Sequence, residues 1–256
     1  MNVDYQTMIR TLSQVIWPMW RIGGLMLTVP VFSSVLISSR IKMLFVLALG
    51  WVCAPFVPPQ LSFLHFNGLY LVYMMQELFL GMLMGFALQL VFQIFVLGGQ
   101  IISMQAGLGF AVMVDPSSKA SVPLVSQLYL MMTTLIFLAL NGHLTLLDAL
   151  INSFKITPIG QALINNTMVW HVIMFSGWMF KEAVLISIPA ILSLLIVSLS
   201  FGIMTRVAPQ LNIFSLGFPI TLIMAMVIIK IGLPSVGIEI VSSMEQGMHF
   251  IIGMLR

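Results

Sequence analysis

The chain has 256 residues, of which 60% are hydrophobic and only 7% charged, with ten Lys/Arg against seven Asp/Glu. Soluble chains carry about 25% charged residues, so there are too few polar side chains here to cover a water-exposed surface, and the apolar content is too high for disorder. An integral membrane protein is the class that remains.

The amino terminus is expected to stay in the mature protein. Asp4 stands where a cleavable signal needs positive charge, and no A-x-A-like site closes the first apolar run. Long charge-free stretches such as Met43–Gln76, Leu78–Val114 and Ala120–Leu147 mark the spans. They predict an all-α polytopic membrane protein of about six long, kinked helices near residues 15–37, 43–57, 69–102, 122–140, 168–204 and 212–233. A shorter amphipathic tail follows near 236–254. Pro55, Pro58 and Pro59 end the second helix, because proline lacks an N–H and fixes φ. Asn141-Gly142-His143 ends the fourth, and Thr157-Pro158-Ile159-Gly160 reads as a turn. The third helix is too long for a simple span, so it must tilt, kink at Gly98-Gly99 or run beyond the bilayer. Arg40, Lys42, Lys119 and Arg206 on one side balance Arg10, Lys155, Lys181 and Arg256 on the other. The positive-inside rule therefore selects no orientation.

Motifs of catalysis are missing from the sequence. It has no H-E-x-x-H, G-x-S-x-G or GxxxxGK[ST]. His65, His143, His171 and His249 share no ligand spacing, and the single Cys53 permits no intrachain disulfide. No run of Lys/Arg offers a nucleic-acid footprint. Enzyme activity, a cofactor and a resident metal are therefore not expected.

Three groups of residues stand out. Glu77, Gly81, Gly85, Gln89 and Gln93 recur every four residues and lie on one face of the third helix. Gly81 and Gly85 admit a close backbone neighbour, within the chain or from another subunit. Glu77 requires a partner or an aqueous neighbour. Second, the segment 107–119 has an apolar middle (Phe110, Val112, Met113) between loosening glycines, Gly107 and Gly109, and the turn at Asp115-Pro116. Such a loop is tolerated where protein or a cavity surrounds it. Third, Arg206, Pro209, Gln210 and Asn212 form polar punctuation between apolar helices, either a solvated hairpin turn or an inter-subunit clasp.

These residues carry a resemblance over nearly the whole chain. The sequence resembles the FliR family of type III export-gate subunits in Arg40 and Lys42 after the first helix, Glu77 with Gly81 and Gly85, and the run from Gln105 to Pro116. It also does so in Phe137–His143, Ser153-Phe154 with Pro158 and Gly160, and Arg206–Asn212. The resemblance implies a subunit of a hetero-oligomeric channel formed with FliP and FliQ in the bacterial inner membrane, within the flagellar basal body. Unfolded flagellar subunits would cross it, with FlhB and FlhA as further partners. It implies one membrane domain over 1–256, with a FliP-like part over about 1–175 and a FliQ-like hairpin over about 176–256. The loop from Gly107 would plug the closed pore. Phe137–His143 and the Ser-Phe/Pro-x-Gly pair look more flagellar than injectisome-like. The rivals are the injectisome counterpart of the same subunit and a proton-coupled secondary transporter using Glu77 and Arg206, which predicts inverted repeats and broken helices at a midplane site.

Overall fold

The computed structural model describes residues 5–33, 37–56, 68–108, 123–160, 166–207 and 217–255. Their regular structure is helical throughout: α1 (Tyr5–Thr28), α2 (Pro30–Ser33), α3 (Ser39–Cys53), a 3-10 turn (Ala54–Phe56), α4 (Leu69–Gln105), α5 (Leu124–Ala139), α6 (Gly142–Ile156), α7 (Asn166–Val207) and α8 (Phe218–Met254). Within these residues, four helical segments are long and apolar enough to cross a membrane: Ser39–Phe56, Leu69–Gln105, Thr167–Arg206 and Pro219–Met254. The pair α5 and α6, bent by 66°, makes a fifth if counted as one span.

This differs from the expected six spans in three places. The first helix starts at Tyr5 and ends at Thr28. Its N-terminal half is amphipathic rather than apolar, and Pro30 biases the preceding residue away from helix. Second, α6 is not among the expected helices. Its 15 residues are too short to span, and Asp148, Asn152 and Lys155 break the apolar run. Yet Leu146, Ala149, Leu150, Ser153 and Phe154 are buried at i, i+3, i+4, i+7 and i+8, the spacing of one helical face. Third, the sixth span and the tail are one helix, α8, which continues through Pro234. Proline removes one backbone donor from a helix, and apolar surroundings offer no better arrangement for the others.

The described chain falls into two compact units. One comprises residues 1–90, 141–176 and 245–256, and the other 91–140 and 177–244. In the first unit α1 and α4 run parallel with their backbones in contact. A Cβ on Gly24 would collide with the Leu78 carbonyl, one on Gly81 with the Arg21 carbonyl, and one on Gly85 with the Thr28 hydroxyl. Small residues on both helices permit this approach, as in membrane helix pairs. Trp17 packs on Tyr70 with ring centroids 5.7 Å apart, and Phe175 stacks on Phe250 at 3.9 Å.

In the second unit α4 meets α5 through Phe92 and Phe137, edge to face at 5.6 Å. The helix is continuous through Gly98-Gly99. These glycines admit neighbours: a Cβ on Gly99 would lie 2.8 Å from the Ser126 backbone, and one on Gly98 3.3 Å from the Ala183 carbonyl. Ala106, Leu194 and Ala225 form a small core under Leu108 and Ile228.

Burial is uneven. Within the most apolar 18-residue stretch of each helix, 67% of the residues of α4 are buried, against 11% in α7 and 17% in α8. At about 1.5 Å per residue, α4 and α8 are each about 55 Å long, well beyond a bilayer core of about 30 Å.

The same substitution should therefore act oppositely at two glycines. Gly81→Ala sets a methyl against backbone and should cost about 1–3 kcal/mol. Gly237→Ala has nothing within 4 Å and should be neutral or stabilising by up to about 1 kcal/mol. Thermal midpoints of both variants in one detergent check this. A loss at Gly237 equal to that at Gly81 would contradict the packing described.

Candidate functional site

Residues Arg21, Glu77, Ser153, Phe154 and Thr157 converge inside the first unit. Arg21 and Glu77 side chains are both 0% exposed, and Arg21 Nε donates to Glu77 Oε2 at 2.7 Å. Arg21 Nη1 donates to Ser153 Oγ at 2.8 Å and, more weakly, to Thr157 Oγ1 at 3.4 Å. Arg21 Nη2 donates to the Thr157 carbonyl at 2.9 Å. The guanidinium lies over the Phe154 ring, 4.3 Å from its centroid, in cation–π geometry.

Each element brings a necessary part. The Glu77–Gly81 spacing of one helical turn places the carboxylate beside the point where α1 touches α4. Ser153 and Thr157, also four apart, end α6 on the guanidinium. The C-terminal carbonyls of a helix carry partial negative charge, so this end suits a cation. Ser153 in turn donates to the Leu150 carbonyl at 2.6 Å and Thr157 to the Ser153 carbonyl at 2.8 Å, which orients both acceptors. Glu77 Oε1 meets no donor among the described residues. One charge-assisted contact thus holds this carboxylate.

The expected site residues are distributed as follows. Glu77, Gly81 and Gly85 face α1 of their own chain, and Gln89 and Gln93 are half-buried further along α4. Gly107 closes α4 with φ 79°. Leu108 N donates to the Ser103 carbonyl and Gly107 N to the Met104 carbonyl, so the glycine sits at the left-handed position of a Schellman cap. Gly109, Phe110, Val112, Met113, Asp115 and Pro116 lie outside the described residues. So do Pro209, Gln210 and Asn212. Arg206 is exposed in the last turn of α7. Among the described residues no group of three His, Cys, Asp or Glu could hold a metal ion.

A second polar spot belongs to the second unit. A cavity of about 540 Å³ is lined by Glu182 on α7 and Glu239 on α8, with Tyr129, Ser193 and Ser235. Glu182 lies 3.8 Å from the exposed ammonium of Lys181.

The family model for bacterial export proteins, family 1, matches residues 12–247. The chain belongs to this family. It is 33% identical over 207 residues to the flagellar biosynthetic protein FliR of Escherichia coli (strain K12), covering 80% of this chain and 78% of that protein. It is 31% identical to the flagellar biosynthetic protein FliR of Buchnera aphidicola subsp. Baizongia pistaciae, over 85% of this chain and 84% of that one. The protein of the same name from Aquifex aeolicus is 31% identical over 86% and 84% of the two chains. The family is one of export components rather than enzymes.

The sequence requires a partner for Glu77 without identifying Arg21, or Ser153 and Thr157 as the ligands of Arg21. A usable signal existed. Arg21 is a base inside the predicted first span, Glu77 an acid inside the third, and opposite charges at such positions pair.

Removing one member of a buried pair leaves the other uncompensated, at a cost of about 3–5 kcal/mol. Arg21→Met and Glu77→Met should each lower stability by about that much, and the double variant should lose less than either single change. Denaturation of the four proteins under one condition measures the coupling. Additive losses would show that the two charges do not depend on each other.

Proposed function

We propose that the chain is a core subunit of the flagellar type III protein export gate in the bacterial inner membrane, part of the flagellar basal body. In this reading it assembles with FliP and FliQ into the channel through which unfolded flagellar subunits leave the cytoplasm, with FlhB and FlhA as neighbours. The observation that carries the reading is the family match over residues 12–247, joined to relatives named flagellar biosynthetic protein FliR along most of their length. Those names favour the flagellar over the injectisome assignment.

The distribution of apolar surface supports an assembled state. Ile196 and Ile203 on α7, and Met226, Ile231 and Ile238 on α8, are each more than 60% exposed. Exposed large apolar side chains in this number along two helices suit contact with lipid or another chain. The consecutive long helices α7 and α8 suit the FliQ-like hairpin over about 176–256, after a FliP-like part over about 1–175. The transporter reading draws less support, because the acid it would use, Glu77, is engaged by Arg21.

The proposed seal is the loop that leaves the Gly107 cap. An apolar constriction resists ion passage because water and ions enter it only at a cost. Phe110, Val112 and Met113 would supply the bulk, Gly107 and Gly109 the freedom to move aside, and Asp115-Pro116 the return of the chain. Arg206, Pro209, Gln210 and Asn212 would clasp a neighbouring subunit, and Gln89 and Gln93 would continue the polar stripe along α4.

Deletion of 110–114 should leave FliP and FliQ copurifying with the chain while the inner membrane becomes leaky to small ions. Membrane conductance and recovery of the complex are read together. Failure of the parent chain to recover FliP and FliQ from native membranes would overturn the assignment. An assembled deletion variant as tight as the parent would remove the plug from it.

A further inference from the structure

A groove of about 390 Å³ runs between α1 and α3 in the first unit. Along α1 it is lined by Ile16, Trp20, Gly23 and Leu27, and along α3 by Lys42 and Val46. Lys42 is the single charged residue of the lining, and it makes no ion pair among the described residues. Gly23 deepens the groove, since a Cβ there would meet nothing within 4 Å.

The two helices run antiparallel. Gly50 packs against Met19, and Phe45 stacks on Phe32 at 5.5 Å. Lys42 therefore stands at the Leu27 end of the groove. From Ile16 to Leu27 the path along α1 is about 16 Å at 1.5 Å per residue. Half of a bilayer core of about 30 Å is about 15 Å. The groove thus has the depth of one leaflet, apolar walls, and a cation at one end. Arg40, exposed two residues before Lys42, adds positive charge at the same level.

We propose that this groove holds an acyl chain of an anionic membrane phospholipid, with its phosphate at Lys42. Charge complementarity selects the headgroup, because a zwitterionic lipid gains less from an ammonium at its phosphate. The leaflet-length apolar wall selects the chain. Arg21 and Glu77 do not line the groove, and the proposal does not rest on the reading of function.

The test uses the full-length chain, with the subunits that accompany it, in nanodiscs of equal parts phosphatidylglycerol and phosphatidylcholine. Lipid retained after detergent release is read by native mass spectrometry. The parent should retain phosphatidylglycerol in preference to phosphatidylcholine. Lys42→Gln should lower that preference about fivefold, the effect of one basic side chain at an anionic surface. Gly23→Leu, which fills the open space, should lower retention of both lipids. Absence of a phosphatidylglycerol preference in the parent, or an unchanged preference in Lys42→Gln, would overturn the proposal. A photoreactive residue at Val46 that captures another polypeptide rather than lipid in native membranes would also overturn it and assign the groove to a partner helix.

Discussion

The buried pair between Arg21 and Glu77 is the constraint on which the rest of the first unit depends. An isolated charge in an apolar interior costs several kcal/mol, so the two side chains must meet wherever α1 and α4 are placed. That requirement sets the register of the helices. A shift of one residue would turn each charge by about 100° and leave it without its partner. The glycines at 24, 81 and 85 make the required distance possible, because any side chain there would strike the opposite helix. The remaining donors of Arg21 then need acceptors, and the end of α6 supplies them through Ser153 and Thr157. Three helices distant in sequence are joined at one guanidinium.

The hydrophobic residues are distributed less evenly than the composition suggests. Inside the chain most of the apolar core of α4 is buried, whereas few residues in the most apolar stretches of α3, α7 and α8 are fully buried. A soluble monomer does not tolerate that pattern. In a membrane assembly it is the expected one, since the same surfaces can meet lipid or the helices of other subunits. The lengths of α7 and α8 are well beyond the bilayer core. A helix that overshoots the hydrocarbon tilts, kinks or meets protein or water beyond it.

Much of this architecture is legible in the sequence, for identifiable reasons. The apolar run predicts a helix over 69–102, close to the observed Leu69–Gln105, because a buried helix of this length is apolar on nearly all sides. Asn141 and Gly142 announce the break between α5 and α6, and Asn141 indeed takes up a left-handed φ of 55°. Helix α6 escapes a search for spans because its polar face carries Asp148, Asn152 and Lys155. Only its four-residue spacing of buried positions betrays it. The expected boundary between 233 and 236 is absent, because α8 continues through Pro234, and apolar surroundings tolerate proline within a helix. At the candidate site the need of Glu77 for a partner follows from charge and hydrophobicity, but the choice of Arg21 is a tertiary fact. It depends on which helices lie side by side, and residues 21 and 77 share no local motif.

The central claim is that the chain builds its interior around α4 and, in the proposed assembly, leaves the exposed faces of α7 and α8 for other chains to cover. A photoreactive residue placed at Leu88, which is 0% exposed, and at Ile231, which is 73% exposed, tests it in native bacterial membranes. The account predicts adducts with other polypeptides from Ile231 and only intrachain products from Leu88. Adducts to other chains from Leu88, with none from Ile231, would contradict it.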